Sequence, residues 1–132
     1  MLLGKIIRIA RPTDRLDEVV KFYTDGLGFQ ILDRFEQHEG FDGVMVGLPG
    51  EPYHLEFTQQ QGHLVGRAPT PEHLLVFYIP DRQEWQSAID RIEAIGYVSV
   101  QAYNPYWNQH GVTFEDPDGY RIVLANMTWE IG

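Results

Sequence analysis

Cysteine is absent from this 132-residue chain, and basic residues are scarce. Without cysteine there can be no disulfide bond, thiolate zinc site or cysteine nucleophile. No apolar run approaches the roughly 18 residues that a membrane helix needs. The 10 Lys and Arg face 19 Asp and Glu, so the formal net charge is -9, and such a surface repels nucleic-acid phosphates. The composition therefore indicates a protein that binds neither nucleic acid nor membrane.

The residues that are present favour one globular domain. Hydrophobic residues make up 43% of the chain and aromatic residues 13%, which is enough to build a buried core. The first ten residues alternate like a β-strand and do not resemble a signal peptide, so we expect a cytoplasmic protein. The chain also lacks a G-x-S-x-G elbow and a phosphate-binding glycine loop, which argues against serine hydrolases and nucleotide-binding enzymes.

Turn signals and apolar periodicity predict the same order of elements twice. In the first half we expect a helix that begins at Thr13 or Asp14 and ends near Gly26, and in the second a helix capped by Asp81 that ends at Gly96. The predicted strands span residues 5–10, 29–35, 41–48 and 53–58 in the first half and 72–79, 97–100, 112–114 and 120–125 in the second. Each half therefore reads βαβββ.

This repetition predicts an α+β fold. Residues 1–132 would form a single domain of two modules, 1–60 and 70–128, joined by a short Gln- and Gly-containing linker. Four strands with one helix on their outer face would curl into a half-barrel. Two paired βαβββ modules would then enclose a cup, lined by the strand faces that point away from the helices.

Strand alternation selects the polar side chains that could point into this cup. In the strand 53–58, the apolar residues share one face, whereas His54 and Glu56 share the other. The same reasoning selects three further candidates, which are Arg8, His73 and Arg121. An unpaired buried carboxylate costs several kcal/mol, so the two arginines are suitable partners for Glu56. The alternative is that these polar faces simply meet water.

Four segments resemble the vicinal oxygen chelate superfamily, which includes glyoxalase I, extradiol dioxygenases, fosfomycin-resistance proteins and bleomycin-resistance proteins. The matching segments are LDEVVKFYTDGLGF at 16–29, HLEFT at 54–58, EHLLVFYIPD at 72–81 and FEDPDGYRIVL at 114–124. Together with the order of elements they span nearly the whole chain. The resemblance implies the same glyoxalase/bleomycin-resistance-like fold of paired modules.

Metal-using members of the superfamily place one ligand on each of four strands, and the resemblance maps these positions to Arg8, Glu56, His73 and Val123. An arginine has no lone pair to donate and a valine has no donor atom. We therefore expect no metal or other cofactor, and an Arg8–Glu56 ion pair with His73 hydrogen-bonded to Glu56. A site shifted to His54 is the alternative, in which a divalent ion (Zn, Ni, Mn or Fe) is held by Glu56 and His73.

The segment 101–110 (QAYNPYWNQH) is the most unusual stretch of the chain, and superfamily members often build the rim of the cup there. Its aromatic and polar side chains can pack on the protein's own edge, bind a partner subunit, or stack on a planar or cationic ligand. The candidate ligand-binding residues of this segment are Tyr103, Asn104, Tyr106, Trp107 and His110.

Two functions remain open. The first is a metal-free cup that binds a small organic molecule, in a binding or resistance role. The second is a divalent-metal-dependent glyoxalase-like lyase, isomerase or dioxygenase in which Glu56 and His73 are the catalytic residues. Superfamily members commonly pair, so the resemblance also implies a homodimer.

Overall fold

A computed structural model describes residues 5–129 of the protein. Within these residues the chain forms seven strands, two α-helices, one π-helical turn and one 3-10 turn. In chain order these are β1 (Ile7–Pro12), α1 (Leu16–Lys21), the π-helical turn (Phe22–Gly26), β2 (Gln30–His38), β3 (Phe41–Gly47), β4 (Tyr53–Gln60), β5 (Leu74–Tyr78), α2 (Arg82–Ala94), the 3-10 turn (Pro105–Asn108), β6 (Gly111–Glu115) and β7 (Arg121–Ala125). Within the described range no helix is both long and apolar enough to cross a membrane.

The strands form two sheets, and the fold is α+β as the sequence predicts. The first sheet has the order β1-β4-β3-β2 and the second the order β5-β7-β6. In each sheet the edge strand that precedes the helix pairs in parallel with the last strand of its half. The second of the four strands predicted for the second half, 97–100, is reduced to one isolated bridge between Val100 and Thr113. Tyr97 instead packs its ring against Phe22, with the ring centroids 4.8 Å apart.

One hydrophobic core serves both halves. The face of β4 that carries Leu55 and Phe57 and the face of β7 that carries Ile122 and Leu124 are buried in the same cluster, which confirms the faces that alternation predicts for these strands. The two fully buried aromatic residues of the helical segment, Phe22 and Tyr23, belong to this cluster. The helices therefore cover one side of each sheet and leave the opposite side for a binding site.

The two helices begin in different ways. Asp81 caps α2 as predicted, since its carboxylate accepts a hydrogen bond from the Glu84 N–H at 2.8 Å. The prediction that Thr13 or Asp14 caps the first helix is wrong. α1 begins at Leu16, whose N–H donates to the side chain of Gln59 at 3.1 Å.

Asp14 has a different role. Its two carboxylate oxygens accept hydrogen bonds from the N–H groups of Val65 and Gly66, at 2.8 and 2.9 Å. These bonds lower the pKa of Asp14 below its ordinary value. The residue predicted to start a helix therefore fastens the segment that joins the two halves.

Asp116 makes a second polar connection between the two halves. In the predicted hairpin turn 116–119 its carboxylate accepts from the N–H groups of Asp118 and Tyr120, at 2.8 and 3.1 Å. It also accepts from the Tyr23 hydroxyl at 2.8 Å and lies 3.8 Å from Nη1 of Arg11. Burial raises the pKa of this carboxyl, and the hydrogen bonds oppose that rise only in part. Asp116 is thus a buried polar link between the π-helical turn of the first half and the hairpin of the second sheet.

Candidate ligand-binding site

The side of the first sheet that faces away from the helices carries the polar residues predicted for the cup. We call it the first cup face, and it is defined by Arg8, Ala10, His54, Glu56 and Thr58. The parallel register of β1 and β4 sets Arg8 beside His54 and Ala10 beside Glu56. The small side chain of Ala10 leaves room for the guanidinium of Arg8 to reach along the sheet. The sequence pattern thus brings three of the predicted site residues together.

Arg8 bonds to both of its polar neighbours. Its Nε donates to Nε2 of His54 at 2.9 Å, and its Nη1 lies 3.5 Å from Oε2 of Glu56. The structure therefore contains the predicted Arg8–Glu56 ion pair. The side chain of Arg8 is 48% exposed, whereas that of Glu56 is 14% exposed. The guanidinium is accessible to a ligand, and the carboxylate beneath it is mostly shielded from water.

The donor atoms of this face do not fit a divalent metal ion. The lone pair of His54 Nε2 accepts from Arg8, and a permanent cation beside it repels a second cation. The fourth position implied by the resemblance, Val123, is fully buried and has no donor atom. Across residues 5–129, no three His, Asp or Glu side chains lie close enough together to hold a metal.

The corresponding side of the second sheet is the second cup face, defined by Leu74, Val76, Arg121, Val123 and Ala125. Parallel pairing of β5 with β7 sets Leu74 beside Arg121 and Val76 beside Val123. The guanidinium of Arg121 donates to Glu115 at 3.0 Å and to the carbonyl oxygen of Gln101 at 3.1 Å. Its partners lie within its own half, so this arginine is separate from the Arg8 group.

Glu115 was missed in the sequence, although a signal for it exists. A hairpin around 116–119 pairs Glu115 with Arg121 across β6 and β7, and opposite charges at such a pair attract. The turn motif at 116–119 is sufficient to predict that Glu115 lies opposite Arg121.

His73 lies away from the Arg8 group. It immediately precedes β5, is exposed, and has its ring centroid 6.4 Å from that of Tyr120. It makes no hydrogen bond with Glu56 in the described part of the chain. The residues of β5 that the sequence grouped with it, Leu75 and Phe77, pack against the core. The second cup face presents Leu74 and Val76 instead.

Segment 101–110 covers part of the second cup face. The main-chain oxygen of Trp107 comes so close to β6 that a Cβ added at Gly111 would lie 2.7 Å from it. The Trp107 ring packs on Tyr78 and Tyr106, with centroids 6.5 and 4.9 Å away. Asn104 accepts from the Tyr106 N–H at 3.0 Å and so fixes the turn. For Trp107, the structure therefore shows packing on the protein's own surface.

A small cavity lies between this segment and β5. Its volume is about 310 Å³, and it brings together three of the predicted ligand-binding residues, Tyr103, Asn104 and Trp107. Glu72 and Leu74 complete the lining together with Pro71 and Ala102, and sequence reasoning had not assigned them to a site. Tyr106 and His110 are exposed outside this lining.

The same fold occurs in proteins of different activity. Glyoxalase I from Leishmania major matches with a TM-score of 0.71 at 20% identity, covering 92% of this chain and 85% of that one. TnmS3, an antibiotic-binding protein from Streptomyces sp. CB03234, matches with a TM-score of 0.68 at 19% identity, covering 97% and 99%. Identities this low show the fold alone. The chain has the glyoxalase/fosfomycin-resistance fold of the vicinal oxygen chelate structural superfamily.

Closer relatives define the family. Residues 7–58 match the YycE-like N-terminal domain and residues 72–126 the YycE-like C-terminal domain. YycE of Bacillus subtilis (strain 168), a protein described as uncharacterised, is 51% identical over 120 residues, which cover 91% of this chain and 86% of that protein. The crystal structure of a YycE protein of unknown function from Bacillus subtilis has a TM-score of 0.90 at 48% identity, covering 98% and 94%. The chain belongs to the YycE-like family.

Proposed function

We propose that this protein binds a small organic ligand on the first cup face without a metal ion, and that Arg8 is the anchoring residue. The observation that carries the proposal is the bond from Arg8 Nε to His54 Nε2 at 2.9 Å, beside a guanidinium that is half exposed. A guanidinium has five N–H donors in a planar fork. Two are directed to His54 and Glu56, and the others are available to a ligand.

The polar groups of this face favour a particular ligand chemistry. Arg8 offers donors, and Glu56 offers carboxylate oxygens that accept. A ligand with an oxygen acceptor next to a hydroxyl or amine donor would bond to both groups at once. Arg8 and Glu56 carry charges of opposite sign. A neutral or zwitterionic ligand therefore costs less to desolvate here than a strongly charged one.

The small cavity between segment 101–110 and β5 supplies the apolar part of the proposed site. Tyr103 and Trp107 line this cavity together with Glu72, and aromatic rings stack on planar or cationic groups. The Arg8 group and this cavity lie on different sheets of one chain. We propose that a homodimer brings the first cup face of one chain against the second cup face of the other. Light scattering should then give a mass about twice the 15.3 kDa of the chain.

A thermal-shift screen tests the anchoring role of Arg8. The ligands are small hydroxy acids, amino acids, hydroxyketones and planar amines, each with EDTA and with zinc or nickel. A true ligand raises the melting temperature when it is well above its dissociation constant. We expect stabilisers that act in EDTA and lose their effect in Arg8→Gln.

The matched control is Arg34→Gln, which removes an exposed arginine from β2 of the same sheet and should leave the ligand effect unchanged. Stabilisers that act only with a divalent metal and require His73 would contradict the proposal and support the metal-dependent enzyme instead.

A further inference from the structure

A second, larger cavity lies on the side of the sheets that packs against the core, and it reaches the edge strand β5, where Val76 of the second cup face is also part of its lining. Its volume is about 630 Å³. It is lined by Ile9 and Tyr53 of the first half and by Leu75 and Phe77 of the second, all of which pack against the core. Ile9 follows Arg8 in β1 and so points to the other face of the sheet. This cavity is therefore separate from the proposed Arg8 site.

The walls of this cavity are built from packed elements of both halves. Phe29 contacts Tyr53 and Phe77 edge to face, with ring centroids 6.3 and 5.7 Å apart. Ala88 of α2, which is almost fully buried, forms part of the floor with its small side chain. The cavity also borders β5, which is an edge strand of its sheet. Main-chain groups on the unpaired side of that strand can hydrogen-bond to a ligand.

Three charged side chains line the cavity, and one of them is fixed in place. Arg91 donates from Nε to the carbonyl oxygen of Gly26 at 3.3 Å and from Nη2 to that of Leu27 at 3.1 Å. These carbonyls lie at the end of the π-helical turn. Glu51 and Glu84 are the two acidic residues of the lining. Together with Arg91 they give the lining a net charge of about -1 at neutral pH.

We propose that this cavity binds an uncharged aromatic molecule of small-ligand size. Its volume lies within the range of about 300–1,000 Å³ that small-molecule sites occupy. Its aromatic walls match an apolar planar body, and its net negative lining disfavours anions such as fatty acids or sulfonates. The site is independent of the anchoring role proposed for Arg8.

A pair of related fluorescent probes tests the ligand class. N-phenyl-1-naphthylamine is uncharged, and 8-anilino-1-naphthalenesulfonate is the same framework with a sulfonate. We expect saturable binding of the neutral probe at one site per chain. Binding of the sulfonate should be weaker by about tenfold or more, which corresponds to at least about 1.4 kcal/mol.

Tryptophan substitutions test the location. Leu75→Trp fills the cavity and should weaken binding of the neutral probe by about tenfold or more. Leu64→Trp is the control, because it adds the same ring at an 82% exposed position outside the lining, and it should leave this binding unchanged. Arg8→Gln should also leave this binding unchanged. If Leu75→Trp proves unfolded by circular dichroism, Leu48→Trp, at a 38% exposed lining position, replaces it.

Three outcomes would overturn the inference. The first is the absence of saturable binding of the neutral probe to the wild-type protein. The second is equal or tighter binding of the sulfonate. The third is a loss of binding in Leu75→Trp together with a change in native mass, which would show that the probe binds between two copies of the chain and not in the cavity of one chain. Failure of the Arg8 proposal alone leaves each of these measurements unaffected, so the two proposals fail separately.

Discussion

Arg8 donates from Nε to Nε2 of His54 at 2.9 Å, across the parallel pair of β1 and β4. An accepting Nε2 carries no proton, so this geometry assigns the proton of a neutral His54 to Nδ1. The lone pair that accepts from Arg8 is also the one through which an imidazole would bind a metal. Because Arg8 occupies this lone pair, His54 on the first cup face serves as a hydrogen-bond acceptor and not as a metal ligand.

The tautomer of His54 gives the first prediction. We expect Nδ1–H His54 in the wild-type protein, because Arg8 needs an acceptor at Nε2. In Arg8→Gln this demand is weaker, and the Nε2–H tautomer should become populated. Long-range ¹H–¹⁵N NMR of the imidazole nitrogens distinguishes the two forms. His38, an exposed histidine on β2, serves as the control and should not respond to the substitution.

The buried hydrogen bond from the Tyr23 hydroxyl to Asp116 gives the second prediction. Tyr23→Phe removes a hydrogen bond of 2.8 Å to a carboxylate, and such bonds contribute about 1.5–3 kcal/mol. The cost should be largest when Asp116 is ionised and smaller when it is protonated. Urea unfolding at several pH values measures it. Tyr97→Phe is the control, because the Tyr97 hydroxyl makes no hydrogen bond within residues 5–129, and its cost should be small at every pH.

The pH dependence follows from the raised pKa of Asp116. Burial raises this pKa above the ordinary 3.8, so its contribution to stability is full below the unfolded-state pKa and is lost as the pH rises through the folded-state pKa. The Tyr23 bond lowers the pKa and limits that loss. Tyr23→Phe should therefore lose more stability than the wild type as the pH rises from about 4 toward 7. A pH-independent cost would contradict the assignment.

The close contact between the Trp107 main chain and β6 gives the third prediction. In Gly111→Ala the new Cβ would lie 2.7 Å from the Trp107 main-chain oxygen and 3.0 Å from Cγ1 of Val123. The segment 101–110 has to move, and overpacking of this kind typically costs about 1–3 kcal/mol. Amide hydrogen exchange should accelerate across 101–110, including the Trp107 N–H that bonds to Asn104, and should change little in β7. Unchanged exchange in the segment would show that it does not rest on the sheet.

The hydrogen bonds by which Asp14 holds the linker between the two halves give the fourth prediction. Asp14→Ala removes both acceptors of the Val65 and Gly66 N–H groups, so the exchange of these two amides should increase, whereas Asp14→Asn keeps one acceptor and should have a smaller effect. Because the pKa of Asp14 is lowered, the wild-type bonds should persist at neutral pH and weaken as the pH falls through the folded-state pKa, below 3.8. Equal exchange in all three proteins would contradict this role.

How much the sequence predicts depends on the contrast between strand faces. In β4 apolar Leu55 and Phe57 alternate with polar His54 and Glu56, so the register assigns both faces, and the Arg8–Glu56 pair follows from placing β1 beside it. In β5 Leu74, Leu75, Val76 and Phe77 are all apolar, and alternation cannot say which face is buried. Alternation therefore cannot place His73, and its assignment to the cup beside Glu56 does not hold in the structure.

Contacts between residues far apart in the sequence also could not be predicted from the sequence. Asp14 has the residue type and position of a helix cap, but the N–H groups of Val65 and Gly66 come within reach only once the chain has folded. The large cavity beside Phe29 and Phe77 has the same origin, since its walls come from both halves. Neither feature has a local sequence signal.

Zinc titration of metal-free protein by isothermal calorimetry tests the central claim, that a guanidinium occupies the position of a metal ligand. We predict no stoichiometric zinc binding to the wild-type protein, and a new site in Arg8→His, whose added imidazole lies beside His54 and Glu56 on one face. One tightly bound zinc per wild-type chain, lost in Glu56→Gln, would contradict the account.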